Sequence, residues 1–88
     1  MTDAVRRLLR ALSADPDQEM YGWDLAAKTG LRTGTVHPIL ARFERLGWVV
    51  SWWEKADPRN LGRHPRKYYK LTEAGLEKAQ SLREGGRR

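Results

Sequence analysis

The chain has 88 residues, too few for a second hydrophobic core, and no cysteine, which excludes disulfides and thiolate metal sites. Its 17 Lys+Arg against 11 Asp+Glu give a net charge of +6, so a polyanion is the expected partner. No apolar run approaches the ~20 residues needed to span a bilayer and no signal-peptide core is visible, so a cytoplasmic protein is expected.

Asp3–Ala14 places Val5, Leu8, Leu9 and Leu12 on one face and predicts a first helix, capped by Thr2 or Asp3. Asp15-Pro16-Asp17 ends it, because the residue before proline is pushed out of the α region. Glu19–Tyr21 reads as a brief strand. Gly22–Thr29 reads as a short second helix burying Leu25, Ala26 and Trp23, with Gly30 as its left-handed stop and Leu31 returning to the core. Three residues later comes Thr33–Leu46, TGTVHPILARFERL, with Thr33 near the cap position. Its apolar residues Val36, Ile39, Leu40, Phe43 and Leu46 recur at three- and four-residue steps. The other face opens with Thr33, Gly34, Thr35 and His37 and closes with Arg42 and Arg45. Pro38 removes a backbone bond in the second turn, so a slight bend or a loosened first turn is expected.

Gly47 stops this helix. Trp48–Glu54 is rich in aromatic and β-branched residues and predicts a strand, Lys55–Arg66 with two prolines and Gly62 predicts a loop, and Lys67–Leu71 predicts the returning strand. Trp52 and Trp53 must point to opposite faces, so only one of them can be core. Thr72 caps a last helix over Glu73–Arg83, which brings one domain to residue 84 and leaves a flexible tail at 85–88. The fold class is mainly α with a small β-hairpin, in the order α-α-α-β-β-α.

A helix, a glycine-containing tight turn and a second helix make the pattern of a helix-turn-helix. Charge is segregated along the chain. Asp15–Asp24 holds four acids and no base, whereas Lys55–Lys70 holds six bases (Lys55, Arg59, Arg63, Arg66, Lys67, Lys70) against Asp57 alone. A helix with an apolar back and a front of small, hydrogen-bonding residues suits a DNA major groove, and a basic hairpin beside it suits phosphates or a narrow minor groove.

At residue level the chain resembles the PadR family of transcriptional regulators. The matching pieces include Tyr21-Gly22-Trp23-Asp24-Leu25-Ala26, Gly34-Thr35-Val36-His37-Pro38-Ile39-Leu40, Trp53-Glu54, and Pro65-Arg66-Lys67-Tyr68-Tyr69-Lys70-Leu71-Thr72-Glu73-Ala74-Gly75. The resemblance covers residues 20–75 and implies a winged helix-turn-helix, a homodimer and a repressor that reads a two-fold-related operator of double-stranded DNA. His37 stands where the family usually has tyrosine, and His64 interrupts the usual Gly-Arg-Pro. Many members continue into long helices that dimerise and respond to ligands. This chain resembles the compact form, for which a small-molecule effector is compatible but not indicated.

The candidate DNA-binding residues are therefore Thr33, Gly34, Thr35, His37, Pro38 and Arg42 on the reading helix, Lys28 at the end of the second helix, and Arg59, Arg63, His64, Arg66 and Lys67 in the wing. Each has a duller reading: Thr33 as a cap, Pro38 as geometry, the arginines as a solvated face. The first and last helices are the expected dimer surfaces. Two histidines, no cysteine and three scattered serines offer no nucleophile–base spacing, no metal cluster and no cofactor motif, so no enzyme is expected. The rival reading is a winged helix used as a protein-interaction module without DNA binding.

Overall fold

The computed structural model describes residues 2–55 and 57–85. Helix α1 runs Asp3–Ala14 and is capped by Thr2, whose hydroxyl accepts the Val5 amide at 3.3 Å. It is followed by β1 (Met20–Tyr21), α2 (Gly22–Thr29) and α3 (Thr33–Arg45). The chain then enters β2 (Val49–Trp53), one helical turn α4 (Pro58–Leu61), β3 (Lys67–Leu71) and α5 (Glu73–Gly85).

The α2–α3 turn forms as its residues dictate. Gly30 adopts φ +76° and its amide returns to the Ala26 carbonyl at 2.9 Å, a left-handed stop that favours glycine. Helix α3 begins at Thr33, so Arg32 and not Thr33 occupies the cap position, without any side-chain cap bond. The helix runs unbroken through Pro38, and the bond that proline cannot make belongs to the carbonyl of Gly34.

The three strands pair antiparallel in the order β1-β3-β2. The register sets Met20 opposite Tyr69, Tyr21 opposite Tyr68, Val49 opposite Leu71 and Trp52 opposite Tyr68. Alternation then sorts the sheet into an inner face, where Met20, Val49, Tyr69 and Leu71 are buried, and an outer face carrying Tyr21, Tyr68, Trp52 and Val50. The inner face closes on Leu8, Leu9, Leu12, Leu25, Val36, Leu40 and Phe43 from the three helices in front of it. Thr72 ties α5 to this body: its hydroxyl accepts the Gly75 amide at 3.1 Å and donates to the Gly47 carbonyl at 2.6 Å.

Several expectations change. Trp23 is 65% exposed rather than buried, because α2 buries only Gly22, Leu25 and Ala26 against its neighbours. Leu46, expected on the core face of α3, is 50% exposed because it lies past the end of the helix at its C-cap. Trp52 and Trp53 do take opposite faces, but neither belongs to the core: Trp52 stacks on Tyr68 at 6.1 Å, and Trp53 is 61% exposed. The loop expected over 55–66 contains the turn α4, started by Asp57, whose carboxylate accepts the Arg59 amide at 2.9 Å. Proline in the first helical position supports that turn. Helix α5 runs to Gly85, two residues further than expected; residues 86–88 of the expected tail lie outside the described residues.

Candidate nucleic-acid interface

The front of α3 is bare. Thr33, Gly34, Thr35, His37, Pro38 and Arg42 are all exposed, while Val36, Leu40 and Phe43 from the same helix are buried. Its first turn has no side-chain cap and no acid, so the free amides and the positive end of the helix dipole are open to an anion. A Cβ added at Gly34 would meet nothing within 4 Å, so the backbone itself is open to a close approach there.

His37 is held by its neighbour in space. Its imidazole lies against Gly22 at the start of α2, so that a Cβ at residue 22 would fall 2.6 Å from the ring's Cε1. Gly22 thus leaves room for the ring. Gly22→Ala is expected to keep the fold, because the atom that must give is the end of a movable side chain, and to turn His37 away. The thermal midpoint should shift little, while affinity for a preferred duplex falls about fivefold, the low end of what one base-edge contact is worth. Thermal unfolding and fluorescence anisotropy check the two halves.

A notch of about 440 Å³ separates α3 from the base of the wing, lined among others by Trp23, His37, Trp53, Pro65, Arg66 and Lys67. Helix α3 and the basic hairpin therefore border one hollow on one side of the molecule. Arg66 lies over the Tyr21 ring at 4.2 Å, and Lys67 Nζ is 5.8 Å from the Trp53 ring. Both cations keep their charge available while their stems rest on aromatic faces.

The wing is closed at its neck by Glu54. Arg63 donates two hydrogen bonds to this carboxylate, Nη1 to Oε1 at 2.8 Å and Nη2 to Oε2 at 3.1 Å. The Arg66 amide donates to Oε1 at 3.3 Å and the Tyr68 hydroxyl approaches Oε2 at 3.5 Å, while the Glu54 amide returns to the Arg66 carbonyl at 2.8 Å. The Arg63 bonds hold the Glu54 carboxyl below the usual carboxylate range, against an opposing push from partial burial, and Glu54 in turn raises the guanidinium of Arg63.

The remaining candidates fall into three groups. Arg63 is engaged by Glu54, and its Nη1 also reaches the His64 carbonyl at 3.1 Å, so it braces the tip. Arg59 pairs with Asp57 at 3.3 Å yet stays 91% exposed, and His64 is exposed on the same tip. Lys28 is not brought to the notch; it borders a separate hollow between α1 and α2, beside Arg7 and Arg10. Residue-by-residue reading missed Trp23, Trp53 and Glu54 as parts of this surface. A signal was present for all three, since Trp23 and the pair Trp53-Glu54 are among the pieces shared with the family pattern.

The profile of the transcriptional regulator PadR-like family matches residues 8–81. The chain belongs to this family. Solved structures of other regulators share its fold. NadR in complex with 4-hydroxyphenylacetate is 27% identical, with a TM-score of 0.75, over 96% of this chain and 54% of that one. The transcriptional regulator PA4135 is 30% identical, with a TM-score of 0.76, over 96% and 56%. MepR of Staphylococcus aureus, in its DNA complex, is 21% identical with a TM-score of 0.75 and shares the fold over 96% and 63%. This PadR-like chain thus spans between half and two thirds of the length of these structural neighbours. No curated protein sequence matches it. Among the described residues no helix is long and apolar enough to cross a membrane, and no cluster of His, Asp or Glu could hold a metal ion.

Proposed function

We propose that this PadR-like chain is a double-stranded-DNA-binding transcriptional repressor, acting in the cytoplasm on the nucleoid. Helix α3 enters the major groove with Thr33, Gly34, Thr35, His37 and Pro38, and Arg42 meets phosphate at its far end. The wing follows the adjacent backbone or minor groove with Arg66 and Lys67, joined by Arg59 and His64 at its tip. One observation carries this reading: the exposed face of α3 and the base of the wing border the same notch, with His37 on one wall and Arg66 and Lys67 on the other. MepR, a protein of the same fold, has been solved in complex with DNA, which supports the choice of partner.

A homodimer on a two-fold-related operator goes with this reading. The groove between the first and last helices, floored by the buried Leu9 and Ala79 and edged by the half-buried Leu82 with Arg6, Arg10, Ser13 and Arg83, is the proposed seat of the second copy.

Selection of bound duplexes from a random pool, followed by anisotropy titrations on selected and random DNA over a salt series, tests the proposal. Binding that steepens on the selected sequence and weakens with salt supports it; no salt-dependent binding to any duplex favours the protein-interaction module instead. Within that series Arg66→Ala is expected to weaken binding on every sequence. Its log–log salt slope should fall by about 0.9, the contribution of one neutralised phosphate.

A further inference from the structure

We propose that Trp23 and Trp53 grip the DNA backbone, their indole faces packing against deoxyribose where one strand passes between α3 and the wing. The inference rests on the DNA-binding reading above and adds two contact residues, one from outside both the reading helix and the wing. Trp23 and Trp53 are 65% and 61% exposed, the two most exposed large apolar side chains among the described residues. Leaving an indole in water costs what its burial elsewhere would return, about 25 cal/mol for each Å² of apolar surface. Both come to the same place from opposite sides: Trp23 from the first turn of α2, Trp53 from the last position of β2. That place is the notch, whose other walls include His37, Arg66 and Lys67.

The chemistry of the notch alternates as a nucleic-acid backbone does. Lys67 Nζ sits 5.8 Å from the Trp53 ring and 6.0 Å from the Tyr69 ring, and the Arg66 guanidinium lies 4.2 Å from the Tyr21 ring. A cation beside an aromatic face offers two kinds of contact a few ångströms apart, one for a phosphate and one for the C–H surface of the sugar that follows it. Bases of a duplex are stacked inside and cannot supply the apolar partner, whereas deoxyribose lies on the outside. The sequence periodicity that assigned Trp23 to a core gives no reason for it to stand in water; a sugar in the notch does.

Salt separates this contact from a charged one. Packing an indole on a sugar releases no counterion, so its loss lowers affinity and leaves the salt slope alone, while loss of a cation lowers both. The full chain is titrated with a random-sequence duplex over a potassium chloride series, as wild type, Trp23→Ala, Trp53→Ala and Trp53→Phe. Each alanine variant is expected to bind about tenfold more weakly with the slope of the wild type, which is what covering roughly 55 Å² of indole at about 25 cal/mol for each Å² returns. Trp53→Phe should recover most of the loss, and acrylamide quenching of the wild-type tryptophans should fall when duplex is added. Thermal midpoints of the variants report that the fold is kept, as the exposure of both side chains leads one to expect. Wild-type binding with alanine variants that bind equally well overturns the assignment of the tryptophans, as does a slope that falls with them. Absence of binding by the wild type overturns the DNA reading itself.

Discussion

Gly75→Ala should lower the thermal midpoint by about 10 °C, the largest stability loss expected from any single methyl group in this chain. Gly75 is buried in the first turn of α5, and a Cβ placed there would press on the carbonyl oxygen of Trp48 and come within 2.7 Å of Leu71 Cδ2. The first of these is backbone, and it is already used, accepting the Thr72 amide at 2.9 Å. It cannot swing aside as a side chain would, so α5 must move off the sheet or the β2 entry must bend. Overpacking of this kind costs about 3 kcal/mol, while replacing a helical glycine by alanine returns ~1 kcal/mol. The net loss of about 2 kcal/mol, at roughly 5 °C per kcal/mol for a domain of this size, gives the expected shift. Gly34→Ala is the control, since the same change on α3 meets open space and should leave the midpoint level or slightly raised. A Gly75→Ala protein that melts with the wild type would show that α5 is not seated on Trp48 as described.

The same glycine shows what could be read in the chain and what could not. Its place after Thr72, and the turn glycines 30 and 47, announce where elements begin and stop, because capping and positive φ are local properties of a few residues. Periodicity likewise found the buried faces of α1 and α3, since Leu8, Leu12, Val36, Leu40 and Phe43 repeat at helical steps. It failed at the edges of the core. Trp23 shares a helical face with Ala26 by spacing, and Leu46 shares one with Phe43, yet no neighbouring element covers more than about half of either. Spacing gives the direction of a face but not how far the opposing surface extends. Trp52 and Trp53 make the same point on the hairpin, whose far end outruns the helices that cover Val49 and Tyr69. The family pattern marked the basic wing, and the notch between it and α3 required the folded chain, because its walls come from positions 23, 37, 53 and 66. The neck of the wing was hidden for a similar reason: Glu54 and Arg63 stand nine residues apart and meet only after β2 and β3 have paired.

That neck makes Glu54→Gln the second large effect, on binding rather than on stability. Glutamine keeps the shape and an acceptor for the Arg66 amide but discards the charge that attracts Arg63. The core contains neither residue, so the thermal midpoint should stay near that of the wild type. The tip between Gly62 and Arg66 then loses its brace, and hydrogen exchange at the Arg66 amide should quicken. A tip that must be ordered again on binding costs about 1–2 kcal/mol for each residue fixed, so DNA affinity is expected to fall about tenfold for the first of them. The pH dependence follows from the direction of the shift. A carboxyl held below its usual range in the folded wing contributes order that is present above the unfolded-state value, near 4.3 for glutamate, and is lost as pH falls through the lower folded value. Wild-type Arg66 exchange, corrected for intrinsic rate, should therefore be flat from neutral pH down to about 5 and approach that of Glu54→Gln only in stronger acid. The variant should show no such step. If Glu54→Gln binds DNA as the wild type does and its Arg66 amide stays equally protected, the ion pair does not hold the wing, and Arg63 returns to the set of residues free to meet phosphate.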